Sequence, residues 1–253
     1  MGTLLQLLNL TDRYERKARL LPAVIVVLPL AIAVASLVGL QADWYSALGA
    51  GALFEGVLGV GLSHLARIPG TTFGEKLATQ WGGQPTHRWL RPGDVAHSEA
   101  QKSRWRGAIR TLTGLTVPAT AGTKTAEEID KLIDDAVRQL RNRLREEPAA
   151  RMVTVHNEDY GFARNLGGLR WAWVAFSVLG AGACGLGLYL GRGHLLAMVV
   201  EVGFALISGC VLFALPEYVR HCADRYAESL FAAAITVADG LDRQHAASKP
   251  ATA

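Results

Sequence analysis

Cysteine is scarce in this chain, three in 253 residues, and none stands at the spacing of a metal ligand set. Cys184 and Cys210 fall inside apolar runs and Cys222 just past one, so neither a disulfide framework nor a thiolate metal site is expected. The seven histidines are scattered, again without ligand spacing. There is no glycine-rich phosphate loop, no Ser–His–Asp cue and no Cys–His pairing, so the chain reads as a non-enzyme with no cofactor. Acidic and basic side chains are also missing from long stretches. Leu20–Leu40 and Trp171–Gly191 hold none, and Ser46–Ala66 and Leu195–Leu215 hold one each, Glu55 and Glu201.

Those four runs are what the sequence does contain. Each is 21 residues long, and a helix rising about 1.5 Å per residue then reaches across a hydrocarbon core of about 30 Å. Too little polar chain remains to cover four such helices in water. The expected fold is an all-α membrane protein with four transmembrane helices in two hairpins (20–40 with 46–66, 171–191 with 195–215). A mainly helical domain, 67–170, lies between the hairpins, and short segments, 1–19 and 216–253, lie at the ends.

Lys and Arg predict the orientation. Of 26 basic residues, 25 lie before the first run, in the middle segment or after the fourth run, and Arg192 alone sits in a short turn. Both termini and the middle segment are therefore expected in the cytoplasm of a bacterial inner membrane. The first run is too long, and its leader too extended, for a cleaved signal peptide. The middle segment holds 17 basic against 12 acidic residues, a balance suited to an anionic leaflet or an anionic ligand.

Residues 3–19 read either as a helix lying on the inner face of the membrane or as a cytosolic extension of the first span. Pro22 is expected in the first turn of that span, where its missing N–H is harmless, and Pro29 predicts a kink. Small residues in the second and third runs, Ser177, Ala181 and Gly185 among them, favour close helix approach and a homo-oligomer. Short helices are predicted at 73–80 and 98–112, a strand at 152–155, and a helix at 157–170 that runs into the third span. The clearest soluble helix is Ala126–Glu147, opened by a Thr125/Glu128 capping box and striped by Ile129, Ile133, Val137, Leu140 and Leu144. A final helix is expected to continue past Pro216 to about Asp242.

Three groups of residues point to chemistry. Glu55 and Glu201 are carboxylates at bilayer depth, where charge is expensive and marks an ion path or a hydrogen bond to a neighbouring helix. Glu201, nearer the outer mouth, also fits a wet vestibule. The second group is Trp81-Gly-Gly-Gln-Pro-Thr-His-Arg-Trp-Leu-Arg91, followed by Arg104 and Arg106. Rings beside guanidiniums suit bases and phosphates, and equally suit interfacial anchoring. In the third, Asn157 to Arg170, Tyr160 and Arg164 share a helical face and either couple the cytosolic domain to the spans or anchor it. Gly161, Gly167 and Gly168 would weaken a helix there.

Two stretches, Trp81-Gly-Gly-x-Pro-Thr-x-x-x-Leu-Arg91 and Tyr160-Gly-Phe-x-Arg-Asn-Leu-x-Gly-Leu169, resemble signatures of a family of small bacterial four-span membrane proteins, with the likeness running over about residues 20–235. The chain looks like the membrane effector of anti-phage systems in which a nucleotidyltransferase makes a nucleic-acid signal, such as Hailong. The resemblance implies an oligomeric ion channel that short DNA oligomers keep closed and infection opens, halting host growth. It makes the basic domain the sensor and the spans the pore. The expected partners are the bilayer, further copies of the chain, a nucleotide or oligonucleotide, and a partner nucleotidyltransferase acting through its product. Glu55 and Glu201 would line the ion path, and Trp81, Arg88, Arg91, Arg104, Arg106, Tyr160 and Arg164 would bind or couple the ligand. The alternatives are a non-conducting scaffold that docks a protein or anionic lipid, and a small proton-coupled transporter.

Overall fold

The computed structural model describes residues 13–37 and 67–248. The expected second span with Glu55, the turn before it, residues 1–12 and the tail beyond Ser248 lie outside the described residues. Among the described residues every regular element is helical. We number them α1 (Arg13–Leu37), α2 (67–80), α3 (Pro85–Arg88), α4 (Glu99–Thr113), α5 (Ala126–Leu144), α6 (Arg151–Tyr189) and α7 (Leu195–Ser248). Three of them, α1, α6 and α7, are long and apolar enough to cross a membrane. The chain divides into two compact units, Met1–Leu77 with Glu158–Arg220 and Ala78–Asn157 with His221–Ala253.

In the first unit, Val26, Leu166, Trp173 and Leu215 form a core joined by Ile25, Phe162 and Phe176. Much of the rest of the apolar surface is uncovered: Leu196, Leu206 and Phe213 of α7 and Leu179 of α6 are all more than half exposed. The α1 helix starts at Arg13, so Pro22 is interior and not in a first turn as the sequence suggested. In α-helical register the Ala18 carbonyl would take the N–H of residue 22, which proline lacks. Two features meet that defect. Arg16–Leu20 widens into a π-helical turn just before Pro22, and Asn165 Nδ2 of α6 donates to Ala18 O at 2.6 Å.

The α6 helix begins 20 residues before the third apolar run does. A 3₁₀ turn, Pro148–Ala150, leads into it, and residues 152–155 are helical, not the expected strand. The β-branched Val153, Thr154 and Val155 are overridden because Val153 packs against the core of the second unit. Helix α6 closes at Gly191, whose φ of 68° only glycine adopts easily. The N–H groups of Arg192 and Gly193 both return to Gly187 O at 2.9 Å. Helix α7 passes through Pro216 without a break in its assignment.

The second unit is built on the amphipathic α5. Thr125 Oγ1 accepts from Glu128 N at 3.2 Å while Glu128 Oε2 accepts from Thr125 N at 2.7 Å, the expected capping box. Ile129, Ile133, Val137, Leu140 and Leu144 are buried as the stripe required. They meet Leu90, Ile109, Leu230 and Phe231 in one core. Helix α4 starts on a Ser98 cap and ends at Gly114 in the left-handed conformation. An aromatic stack runs through this core: Trp105 on Phe231 at 4.6 Å and Trp89 on Trp105 at 5.9 Å, with His97 edge-on to both tryptophans.

Candidate functional site

The first candidate lies where three apolar helices of one unit converge. Glu201, in the second turn of α7, is fully buried, and neither carboxylate oxygen has a hydrogen-bond partner among the described residues. Opposite it, α6 presents Gly180. A Cβ at Gly180 would lie 2.4 Å from Glu201 Oε2, 2.9 Å from its Cδ and 3.2 Å from the Pro29 carbonyl oxygen of α1. Glycine at 180 is thus what gives the carboxyl group room. A carboxyl group buried with no donor among the described residues calls for a proton, a cation or a water molecule as its partner.

The second candidate is the Trp81–Arg91 stretch with Arg104 and Arg106. Here the fold turns the cationic groups onto itself. Gly82 and Gly83 have φ of 76° and 123°, and the tight turn they make exposes carbonyls to the arginines that follow. Arg88 Nη1 donates to Trp81 O at 2.9 Å and its Nε lies 3.6 Å from Asp94. Arg91 forks onto Asp130 through Nε at 2.6 Å and Nη2 at 2.9 Å, and its Nη1 donates to Gly82 O. Arg106 reaches Glu99 at 3.2 Å and Leu90 O at 3.4 Å. Trp81 is half-buried, whereas Trp89 is in the core; Arg104 alone of the named arginines of this unit is exposed.

Sequence reasoning named His87 in this stretch but not the acids Asp94, Glu99 and Asp134 that close the network. Lys102 is fully buried and donates to Asp94 O at 2.6 Å. Hydrogen bonds from Lys102 and Arg106 hold the Glu99 carboxyl below its ordinary range. His87 bridges Thr86 at 3.0 Å and Asp134 at 3.2 Å. Burial holds the His87 imidazole below its ordinary value, against the opposing pull of Asp134. The Asp134 carboxyl is itself held low by hydrogen bonds from Arg138 and His87.

The third candidate, Tyr160 and Arg164, lies on α6 in the first unit. The two share a face as expected, with the guanidinium 5.7 Å from the ring centroid. The glycines around them do not break the helix; they let other helices in. A Cβ on Gly161 would meet Ala18 and Tyr14 of α1 at 2.8 and 3.0 Å, one on Gly167 would meet Phe73 at 2.2 Å, and one on Gly168 would meet the Gly70 backbone at 2.4 Å. The start of this stretch carries a buried acid that the sequence did not single out. Glu158 is paired with Arg13 at 3.3 Å and Lys17 at 3.7 Å. Among the described residues no group of His, Cys, Asp or Glu side chains is arranged to hold a metal. Comparison with protein-family models, curated proteins and solved structures gives no match.

Proposed function

We propose that this protein is an oligomeric ion channel of a bacterial inner membrane, four-spanning, with both termini and the central domain cytoplasmic, acting as the effector of an anti-phage response. The single observation that carries the ion path is Glu201, wholly buried between three apolar helices without a hydrogen-bond partner among the described residues. A structural carboxyl would be expected to have found a donor; one kept bare suits a passing cation or proton. The uncovered apolar side chains of α6 and α7 support lipid as the surrounding solvent, since so large a greasy surface is rare on a chain that folds in water. Glu55 supplies a second carboxylate in this reading. The basic domain takes a nucleotide or short oligonucleotide, with Arg104 the group most free to meet it and Tyr160 and Arg164 passing the signal on. Flux from liposomes holding the purified chain tests the proposal: Glu201→Gln and Glu55→Gln should each lower cation flux while the oligomer elutes unchanged. Wild-type flux in both variants would remove the carboxylates from the path.

A second reading, a non-conducting scaffold that docks a protein or anionic lipid, draws on one observation. Arg88, Arg91 and Arg106 already spend their forks on Asp94, Asp130, Glu99 and main-chain carbonyls, which leaves them little to offer a ligand. No flux from wild-type liposomes under any added oligonucleotide would favour it.

A further inference from the structure

Arg164 differs from Arg88, Arg91 and Arg106 in having no hydrogen-bond acceptor among the described residues. Its side chain runs across Gly74 of α2, where a Cβ would lie 2.6 Å from Cδ and 2.9 Å from Cγ. Its Nε is cut off from solvent and makes no hydrogen bond. Its guanidinium pairs with no carboxylate among the described residues and rests only against the Tyr160 ring. Two turns along the same helix, Arg170 also has no carboxylate partner among the described residues. It lies 4.2 Å from the centroid of Phe73, the neighbour of Gly74, and donates to Gly167 O at 2.8 Å. Two arginine side chains of α6 thus pass adjacent residues of α2, both half-buried and neither with a carboxylate partner among the described residues. A guanidinium fork in that state matches a tetrahedral oxyanion, which supplies two acceptor oxygens and the missing charge.

We infer that Arg164, with Arg170 beside it, forms a binding site for a phosphate group. Trp171 follows directly and is more than half exposed, and in the membrane reading it marks headgroup depth, where the phosphate can belong to a lipid or to a soluble phosphate ester. The site does not depend on whether the protein conducts.

The test uses the full chain in a non-ionic detergent free of phosphate, melted by its tryptophan fluorescence. One series adds inorganic pyrophosphate at constant ionic strength; a parallel series adds short-chain phosphatidylglycerol, with diacylglycerol as the phosphate-free control. At saturation one phosphate-bearing probe should raise Tm by about 5 °C. The rise should vanish in Arg164→Gln and shrink in Arg164→Lys, which keeps the charge and loses the fork. Gly74→Ala, which displaces the Arg164 stem without touching its charge, should also weaken binding at least about tenfold. Arg192→Gln, the same charge change at an exposed turn residue, should behave as wild type. A rise with pyrophosphate alone assigns a soluble phosphate, and one with phosphatidylglycerol alone assigns a headgroup. Absence of a rise with either probe in the wild type, or a rise that survives in Arg164→Gln, overturns the site.

Discussion

Gly180→Ala is the most economical probe of the three-helix junction. The new methyl carbon would lie 2.4 Å from Glu201 Oε2 and 2.9 Å from Cδ, well inside contact distance, so the carboxyl group must move. Forced repacking of this kind costs about 1–3 kcal/mol. Against it stands the helix preference of alanine over glycine, about 1 kcal/mol, leaving a net loss of up to about 2 kcal/mol. For a chain of this size that lowers Tm by up to about 8 °C. Gly182, two residues on, has nothing within 4 Å of its would-be Cβ, so Gly182→Ala should be neutral or slightly stabilising and serves as the control. In a Glu201→Ala background the carboxyl is gone and the methyl still meets the Pro29 carbonyl at 3.2 Å. The Gly180→Ala penalty should then largely disappear, giving a coupling of about 1–3 kcal/mol. Thermal melts of the four proteins in detergent, followed by tryptophan fluorescence, measure it. If Gly180→Ala matches Gly182→Ala, or keeps its full penalty without Glu201, the carboxyl does not occupy this junction.

Asn165→Ala should lower stability by about 1–3 kcal/mol, because it strips the Ala18 carbonyl of its donor. In a Pro22→Ala background the restored backbone N–H should recover much of that loss, and equal loss in both backgrounds would refute the repair. Arg91→Ala and Asp130→Ala should each destabilise by about 1 kcal/mol and the pair should be less than additive. The fork is one-third to two-fifths exposed, so solvent screening keeps the coupling near the upper end for surface pairs; full additivity in chemical denaturation would dismiss the pair. Burial lowers the His87 value in the folded chain below its ordinary 6.5, so the unfolded chain takes up the proton first. Its contribution is therefore complete above pH 6.5 and is lost as pH falls through the lowered folded value. Melts from about pH 8 to about pH 5.5 should show a fall that His87→Gln flattens; parallel curves would clear His87 of the effect.

How far the fold could be read depended on whether the signal was local. The α5 stripe and its capping box needed only residues within one or two turns of each other, and both appear as expected. The extension of α6 through Gly161, Gly167 and Gly168 was foreseen, but the reason for those glycines was not. They admit Tyr14, Ala18, Phe73 and Gly70 at closer range than any side chain allows, and the partners lie nearly a hundred residues or more away in the chain. Position 152–155 failed for a related reason: β-branched residues state a preference, and packing of Val153 overrules it. Pro22 was misjudged because helix onset, not the proline, was misplaced.

The candidate sites divide on the same line. Trp, Arg and Gly in close sequence say that a cation lies near a ring and a turn; they do not say who accepts its hydrogen bonds. For Arg91 the acceptor is Asp130, 39 residues on in the chain, far outside the stretch that drew attention to the arginine. Once Asp94, Glu99 and Asp130 are counted, the most conspicuous basic cluster of the chain is largely self-satisfied. The opposite holds in the first unit. Glu201 and Arg164 bear charge where it is hardest to keep, and each has a neighbouring glycine making room for it, Gly180 and Gly74, while no opposite charge is supplied among the described residues. A sequence displays where the charges are, but only a fold reveals which remain uncompensated, and it is those residues that point outside the chain for a partner.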